Sequence, residues 1–337
     1  MLKGVAKDAV YYALIIIFLG ATLYFMSPAL FKQAPPTPSN PVMINRADFA
    51  TVNLTILTSS KCKVQCDSVK VEEVVKSFLV NVNTKTLNVE TPEGAAFAEK
   101  FNITLVPAYV MDKSLLNNSR YSEFARYVNN VSDGFVVGTL ETASGYLFNA
   151  APVENDLKLF VTAYDANSIL LQNKTYNVLK RFNNSLNFTM HYVINKDENG
   201  SLSSKNGAME LVEAAIQLCA FENRSQYSLE AVMCRSRDIT TCRNAGSIAF
   251  CAQFWETCTD TWNINSTLIT TCGKTQNATL FQREMEATKQ FNVLAVPTMV
   301  IGGRYKIVGN ELSEQELFST VCGVYPSLKA CTLSVSR

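Results

Sequence analysis

At 337 residues with 47% apolar content, the chain is long enough to bury two cores. Its 30 basic residues are balanced by 29 acidic ones, so no net field exists to hold nucleic acid or an acidic ligand, and charge predicts no partner. The ten cysteines are an even number and point to an oxidising compartment, because structural disulfides do not survive cytosolic thiol buffers in most organisms.

Residues 1–8 carry Lys3 and Lys7 and precede 23 uncharged positions, Ala9 to Phe31. A helix of ~20 apolar residues crosses a bilayer, so this stretch reads as a transmembrane signal-anchor. The positive-inside rule then puts residues 1–8 in the cytoplasm and everything after Lys32 outside, as a single-pass protein of the cell membrane. The alternative is a signal peptide cleaved near Ser27-Pro28-Ala29, which would release a secreted protein, but the run exceeds the usual ~7–15 residues. Residues 32–45 hold the proline-rich Gln33 to Pro41, a stiff spacer. Eleven Asn-x-Ser/Thr sequons, from Asn53 to Asn277, would be acceptors on an exported face if the host glycosylates.

A first domain is expected over residues 46–150. Asn53 to Ser59 alternates and is β-branched, which predicts a buried strand. Cys62 and Cys66 follow, and apolar Val64, Val71, Val75, Phe78 and Leu79 continue at helical spacing, so the pair is expected at a helix N-terminus, one turn apart. There the helix dipole and Lys61 and Lys63 would favour a thiolate at Cys62, with Cys66 placed to resolve a mixed disulfide. A redox pair, a structural disulfide and half a metal site all remain open, the last weakened because His191 is the only histidine. Thr84 to Val89 reads as the next strand, and Thr91-Pro92-Glu93 opens a helix running to about Phe101. Phe101 to Met111 then gives a helix end, a Val106-Pro107 step and an apolar strand, and Gly134 to Leu147 later strands of the same sheet.

The pattern restarts over residues 151–337. Leu157 to Tyr164 is again a first strand and Ile169 to Phe182 again a helix, but the junction, Asp165-Ala-Asn-Ser168, has no cysteine. Leu186 to Ile194 is the second strand, in which His191 reads as a packing residue rather than a catalytic base. Residues 208–272 read as helices rich in cysteine, holding Cys219, Cys234, Cys242, Cys251, Cys258 and Cys272, and Cys322 and Cys331 lie near the end. These eight permit 105 pairings. Cys322 with Cys331 is favoured, since they flank a turn, and the wide spacings argue for structural disulfides over zinc. Val296-Pro297-Thr298 precedes apolar Met299-Val300-Ile301, then Gly302-Gly303 and a second strand from Arg304 to Val308, the signature of a hairpin behind a proline. Ser313-Glu-Gln-Glu316 is a capping box for a final helix through Cys322.

The Val296-Pro297 line resembles the cis-proline hairpin of the thioredoxin superfamily, most closely its DsbA branch, and Val106-Pro107 is a weaker copy. The resemblance implies an α/β fold of two tandem thioredoxin-like domains, the second carrying a helical insertion and lacking the redox pair. The cysteines of that insertion, with Cys322 and Cys331, also resemble the interferon-inducible lysosomal thiol reductase group. In the superfamily the backbone before the proline pairs with an extended substrate peptide, so Val106, Pro107, Val296 and Pro297 are the implied substrate-binding residues. The family motif has two residues between its cysteines and this chain has three.

Two functions follow. One is an anchored extracytoplasmic thiol–disulfide oxidoreductase with Cys62 and Cys66 as catalytic residues and no cofactor. Its partners would be unfolded or disulfide-containing exported proteins and a membrane redox protein. The alternative is a non-catalytic peptide-binding or chaperone-like surface protein with only structural disulfides.

Overall fold

A computed structural model describes residues 50–334, apart from residues 65, 67, 80, 139–143, 184, 223–227, 238 and 294. The expected span Ala9–Phe31 and the spacer lie outside the described residues, among which no helix is long and apolar enough to cross a membrane.

Two sheets organise the chain. The first has the order β2-β1-β4-β6-β5, from β1 (Val52–Thr58), β2 (Val82–Asn88), β4 (Ala108–Met111), β5 (Val128–Val131) and β6 (Gly134–Val137). Its β1 and β2 run parallel and the other pairs antiparallel. The connection between β1 and β2 contains α1 (Val69–Leu79), and α2 (Pro92–Lys100) follows β2. Thr91 caps α2, its Oγ1 accepting from Gly94 N at 3.1 Å, with Pro92 at the first helical position where no N–H is needed. A short α3 (Tyr121–Phe124) precedes β5. One core lies under α1, where Val52, Leu54 and Ile56 meet Val75, Leu79 and Phe124.

The second sheet has the order β3-β7-β13-β12-β8-β9. Its strands are β3 (Leu105–Val106), β7 (Gly145–Leu147), β8 (Asp156–Val161), β9 (Asn187–Tyr192), β12 (Thr298–Ile301) and β13 (Tyr305–Val308). A two-stranded ribbon of β10 (Asn195–Lys196) and β11 (Leu202–Ser203) stands apart. The expectation that Gly134 to Leu147 serves one sheet is therefore corrected: β6 stays in the first, and β7 pairs with β3 and β13 in the second. The hairpin turn also differs, because three residues, Gly302, Gly303 and Arg304, separate Ile301 from its partner Tyr305. Arg304 is held in the turn by donating to Ala150 O at 2.6 Å and Tyr146 Oη at 2.9 Å, while Gly303 has φ +70° and a side chain there would meet Ala151 O.

Between β8 and β9 runs α4 (Ala166–Phe182). The helical insertion then comprises α5 (Ala208–Glu222), α6 (Ser228–Arg237), α7 (Ile239–Ala245), α8 (Ile248–Thr261) and α9 (Ser266–Thr275), followed by α10 (Asn277–Gln290). Three bridges staple it: Cys219–Cys272 joins α5 to α9, Cys234–Cys258 joins α6 to α8, and Cys242–Cys251 joins α7 to α8. At the end come α11 (Glu314–Val324) and α12 (Lys329–Ser334), linked by Cys322–Cys331, with the Ser313–Glu316 capping box opening α11. A continuous core runs from Leu57, Val106 and Val110 of the first half to Leu157, Leu159, Met299 and Ile301 of the second, and on to Trp255 in the insertion.

Candidate redox site

Cys62 and Cys66 form a disulfide with Cα atoms 5.8 Å apart, in the loop between β1 and α1. The expected helix N-terminus is corrected, for α1 begins only at Val69. Val64 explains the delay. It packs into the core shared with the second half, near Gly323 of α11, instead of continuing the apolar face of α1. Cys62 thus lies seven residues before the helix rather than in its first turn, and the exposed Lys61 and Lys63 flank it in the chain.

The loop is tied down from both sides. Cys62 N donates to Ser59 O at 3.2 Å and Lys61 N to Ser59 Oγ at 3.1 Å. Ser59 Oγ donates to Glu90 Oε1 at 2.5 Å, and Ser60 N donates to Glu90 Oε2 at 3.0 Å. Burial works to raise the Glu90 carboxyl, but the donors from Ser59 and Ser60 outweigh it and hold the group below the usual range. From the second sheet, Tyr305 Oη donates to Lys61 O at 2.9 Å, and burial pushes its phenol up. A cavity of about 310 Å³ lies beside the loop, lined in part by Lys61, Lys63, Tyr146, Arg304 and Tyr305.

The structure brings Cys62 to the first proline line. Cys62 Sγ lies 3.8 Å from Val106 O, and the Val106–Pro107 bond is cis. Val106 is not an open edge, because it pairs antiparallel with Tyr146 of β7, as Leu105 does with Leu147. The fit is close enough to require a glycine: a Cβ on Gly145 would sit 2.4 Å from Val106 O. Cys62 and β7 thus converge on one carbonyl.

The second line is arranged differently. Val296–Pro297 is also cis and leads into β12, three strands from β3. Pro297 O accepts from Gly309 N at 2.8 Å, while Val296, half-buried, makes no main-chain hydrogen bond with the described residues. At the cysteine-free junction, Asp165 caps α4, with Oδ2 accepting from Ser168 N at 2.8 Å and Oδ1 from Lys205 Nζ at 2.5 Å. Burial raises the Asp165 carboxyl, yet Lys205 and Ser168 overcome it and hold the group below the ordinary value. A depressed carboxylate contributes stability at pH above its unfolded pKa, ~4, and loses it as pH falls through the folded value. Asp165→Asn keeps a capping side chain without that titration. The variant is expected to lose less stability than wild type on acidification below about pH 4, read by urea denaturation at a series of pH values.

His191 lies on β9 with Nδ1 3.1 Å from Glu284 Oε2 and its ring stacked on Phe160. Sequence reading missed Gly145, Tyr146, Glu90, Tyr305 and Lys205. Each acts across a long sequence separation, and only the aromatic alternation around Tyr146 carried any signal.

No family model matches the chain, and no curated protein matches it. Solved structures do. Reduced DsbA1 from Neisseria meningitidis aligns at 14% identity and TM-score 0.38, covering 58% of this chain and 95% of that one. DsbA from Pseudomonas aeruginosa aligns at 11% identity and TM-score 0.40, over 56% and 93% of the two chains. For DsbL from Salmonella enterica serovar Typhimurium the values are 14% and 0.37, over 55% and 96%. The chain has a distant structural resemblance to DsbA oxidoreductases.

Proposed function

We propose that the chain is a membrane-anchored, extracytoplasmic thiol–disulfide exchange protein in which Cys62–Cys66 is the reactive bridge and the other four bridges are structural. The observation that carries this reading is access. Each of the other four bridges includes a cysteine less than 6% exposed, namely Cys219, Cys258, Cys242 with Cys251, and Cys331. Cys62 and Cys66 are both half-buried, in a loop, beside the carbonyl that precedes a proline. Attack on a disulfide depends on reaching a sulfur, and this is the bridge in which both cysteines are partly exposed.

The exchange balances without a cofactor. A substrate thiolate attacks Cys62 Sγ, the Cys62–Cys66 bond breaks, and Cys66 leaves as a thiolate that takes up a proton. A second substrate thiolate attacks the mixed disulfide at the substrate sulfur, forming the substrate disulfide and releasing Cys62 as the thiol. The reverse sequence reduces a substrate. On this reading the substrates are exported proteins with paired thiols, the Val296 backbone ahead of Pro297, which bonds no main-chain group of the described residues, offers them a pairing site, and a membrane redox protein resets the pair.

A bridge closing a loop of 4 residues removes little chain entropy, about 2 kcal/mol, against about 4 kcal/mol for the 53-residue loop of Cys219–Cys272. Cys62→Ser with Cys66→Ser is therefore expected to unfold at only slightly lower urea, and Cys219→Ser with Cys272→Ser at much lower urea.

A second reading, a non-catalytic peptide-binding protein, is favoured by one observation: β7 already occupies the Val106 edge. The reduction potential of Cys62–Cys66, by thiol trapping across glutathione buffers and mass spectrometry, separates the two. A value between about −120 and −270 mV supports exchange and gives its direction, and a pair still oxidised below about −300 mV supports the binding protein.

A further inference from the structure

The eleven Asn-x-Ser/Thr sequons exceed what composition supplies. Asparagine occurs 29 times, and serine with threonine fills 54 of 337 positions, about one in six, so about five sequons would arise by chance.

The structure sets these asparagines apart from the others. All ten that fall among the described residues, from Asn53 to Asn277, are exposed. Nine of the ten donate no side-chain hydrogen bond to a described residue, and only Asn53 is held, its Nδ2 donating to Asp112 Oδ2 at 2.7 Å. Of the fifteen other described asparagines, seven use Nδ2 within the fold, as Asn118 does toward Leu79 O and Asn177 toward Glu314 Oε1. Elsewhere in the chain the amide serves the structure. In the sequons it is left free, and it is the atom to which a glycan is joined.

The nine are Asn102, Asn117 and Asn130 in the first half, Asn173, Asn183, Asn187 and Asn199 in the second, and Asn265 and Asn277 at the start of α9 and α10. Asn130 and Asn187 lie on β5 and β9, each the outermost strand at one end of its sheet, where a bulky sugar would block pairing with another chain. No residue lining the cavity beside the Cys62 loop belongs to a sequon, so attachment does not compete with thiol exchange there.

We propose that these nine asparagines are sites of N-linked glycosylation. The transfer involves no oxidation. Nδ2 attacks the anomeric carbon of an oligosaccharide carried on a lipid phosphate, the bond from that carbon to the phosphate oxygen breaks with its electron pair left on the lipid phosphate, and Nδ2 gives up one proton to the transferase. The inference rests on export, which five disulfides and the lack of a free cysteine support, and not on the Cys62–Cys66 chemistry.

The test uses the full-length chain purified from cells of its own host. Peptide mass spectrometry is expected to find sugar on most of the nine and none on Asn149, Asn195 and Asn263, which are exposed with free side chains but lack the Ser or Thr two residues on. Thr279→Ala and Ser201→Ala change exposed positions and keep Asn277 and Asn199. Each should lower the intact mass by one glycan, while sugar at the remaining sites shows that the variant was exported. The proposal is overturned if the intact mass equals that of the polypeptide, if sugar is found on a minority of the nine, or if the three control asparagines carry it as often.

Discussion

Gly145→Ala is expected to accelerate disulfide exchange between Cys62–Cys66 and a dithiol peptide by roughly tenfold to a hundredfold. The added Cβ would stand 2.4 Å from Val106 O, a main-chain atom that cannot rotate away, so β7 must move. Two residue pairs, Val106 with Tyr146 and Leu105 with Leu147, join β7 to β3 while β13 holds its other side, and breaking the two pairs sacrifices about 1–3 kcal/mol of local hydrogen bonding. The freed edge lies directly beside Cys62 Sγ, where an incoming extended peptide could pair with Val106 while its thiolate attacks. Dithiothreitol needs no strand pairing, so its rate should rise far less than the peptide's. Stopped-flow measurement of both rates, with hydrogen exchange at the paired Val106 and Tyr146 to confirm that the pairing has opened, checks the expectation. Equal rates for wild type and variant with the peptide would show that β7 does not guard the pair.

Arg235→Ala is expected to destabilise the protein by about 3–5 kcal/mol. Arg235 is fully buried, its Nη2 donating to Glu213 Oε2 at 2.7 Å, and Glu213 is itself 3% exposed. Removing the guanidinium leaves a carboxylate inside the insertion with Gln217 Nε2, at 2.9 Å, as its remaining side-chain donor. Replacing both partners tells a different story. Arg235→Met with Glu213→Leu removes the two charges together, and a buried ion pair exchanged for well-packed apolar groups is often neutral or stabilising. Because Arg235 Nε and Nη1 find no partner among the described residues, the double variant also sheds two unsatisfied donors. Urea unfolding of the oxidised proteins, single against double, measures the difference.

What was legible in the sequence was local. Thr91-Pro92 and Ser313 to Glu316 specify their caps within four residues, and the Val296-Pro297 and Val106-Pro107 lines announce a proline ahead of a strand. The start of α1 was misread because apolar spacing cannot say whether Val64 belongs to the helix or to a distant core. It packs with the second half, and the helix begins five residues later. Strand β7 was misassigned for a related reason: three residues carry too little pattern to name a partner, and pairing with Tyr305 and Val106 is decided by the whole fold. The hold of Tyr305 on Lys61 O spans 244 residues and leaves no trace in either neighbourhood.

The membership of β3 and β7 in the second sheet has a consequence for modularity. A piece beginning at residue 151 would lack both strands, and the backbone of β13 that pairs with Gly145 and Tyr146 would become a bare edge. Bare edges recruit other strands and promote aggregation. The second half therefore cannot be inherited, exchanged or expressed as an independent cassette without carrying a segment that lies before it in the chain.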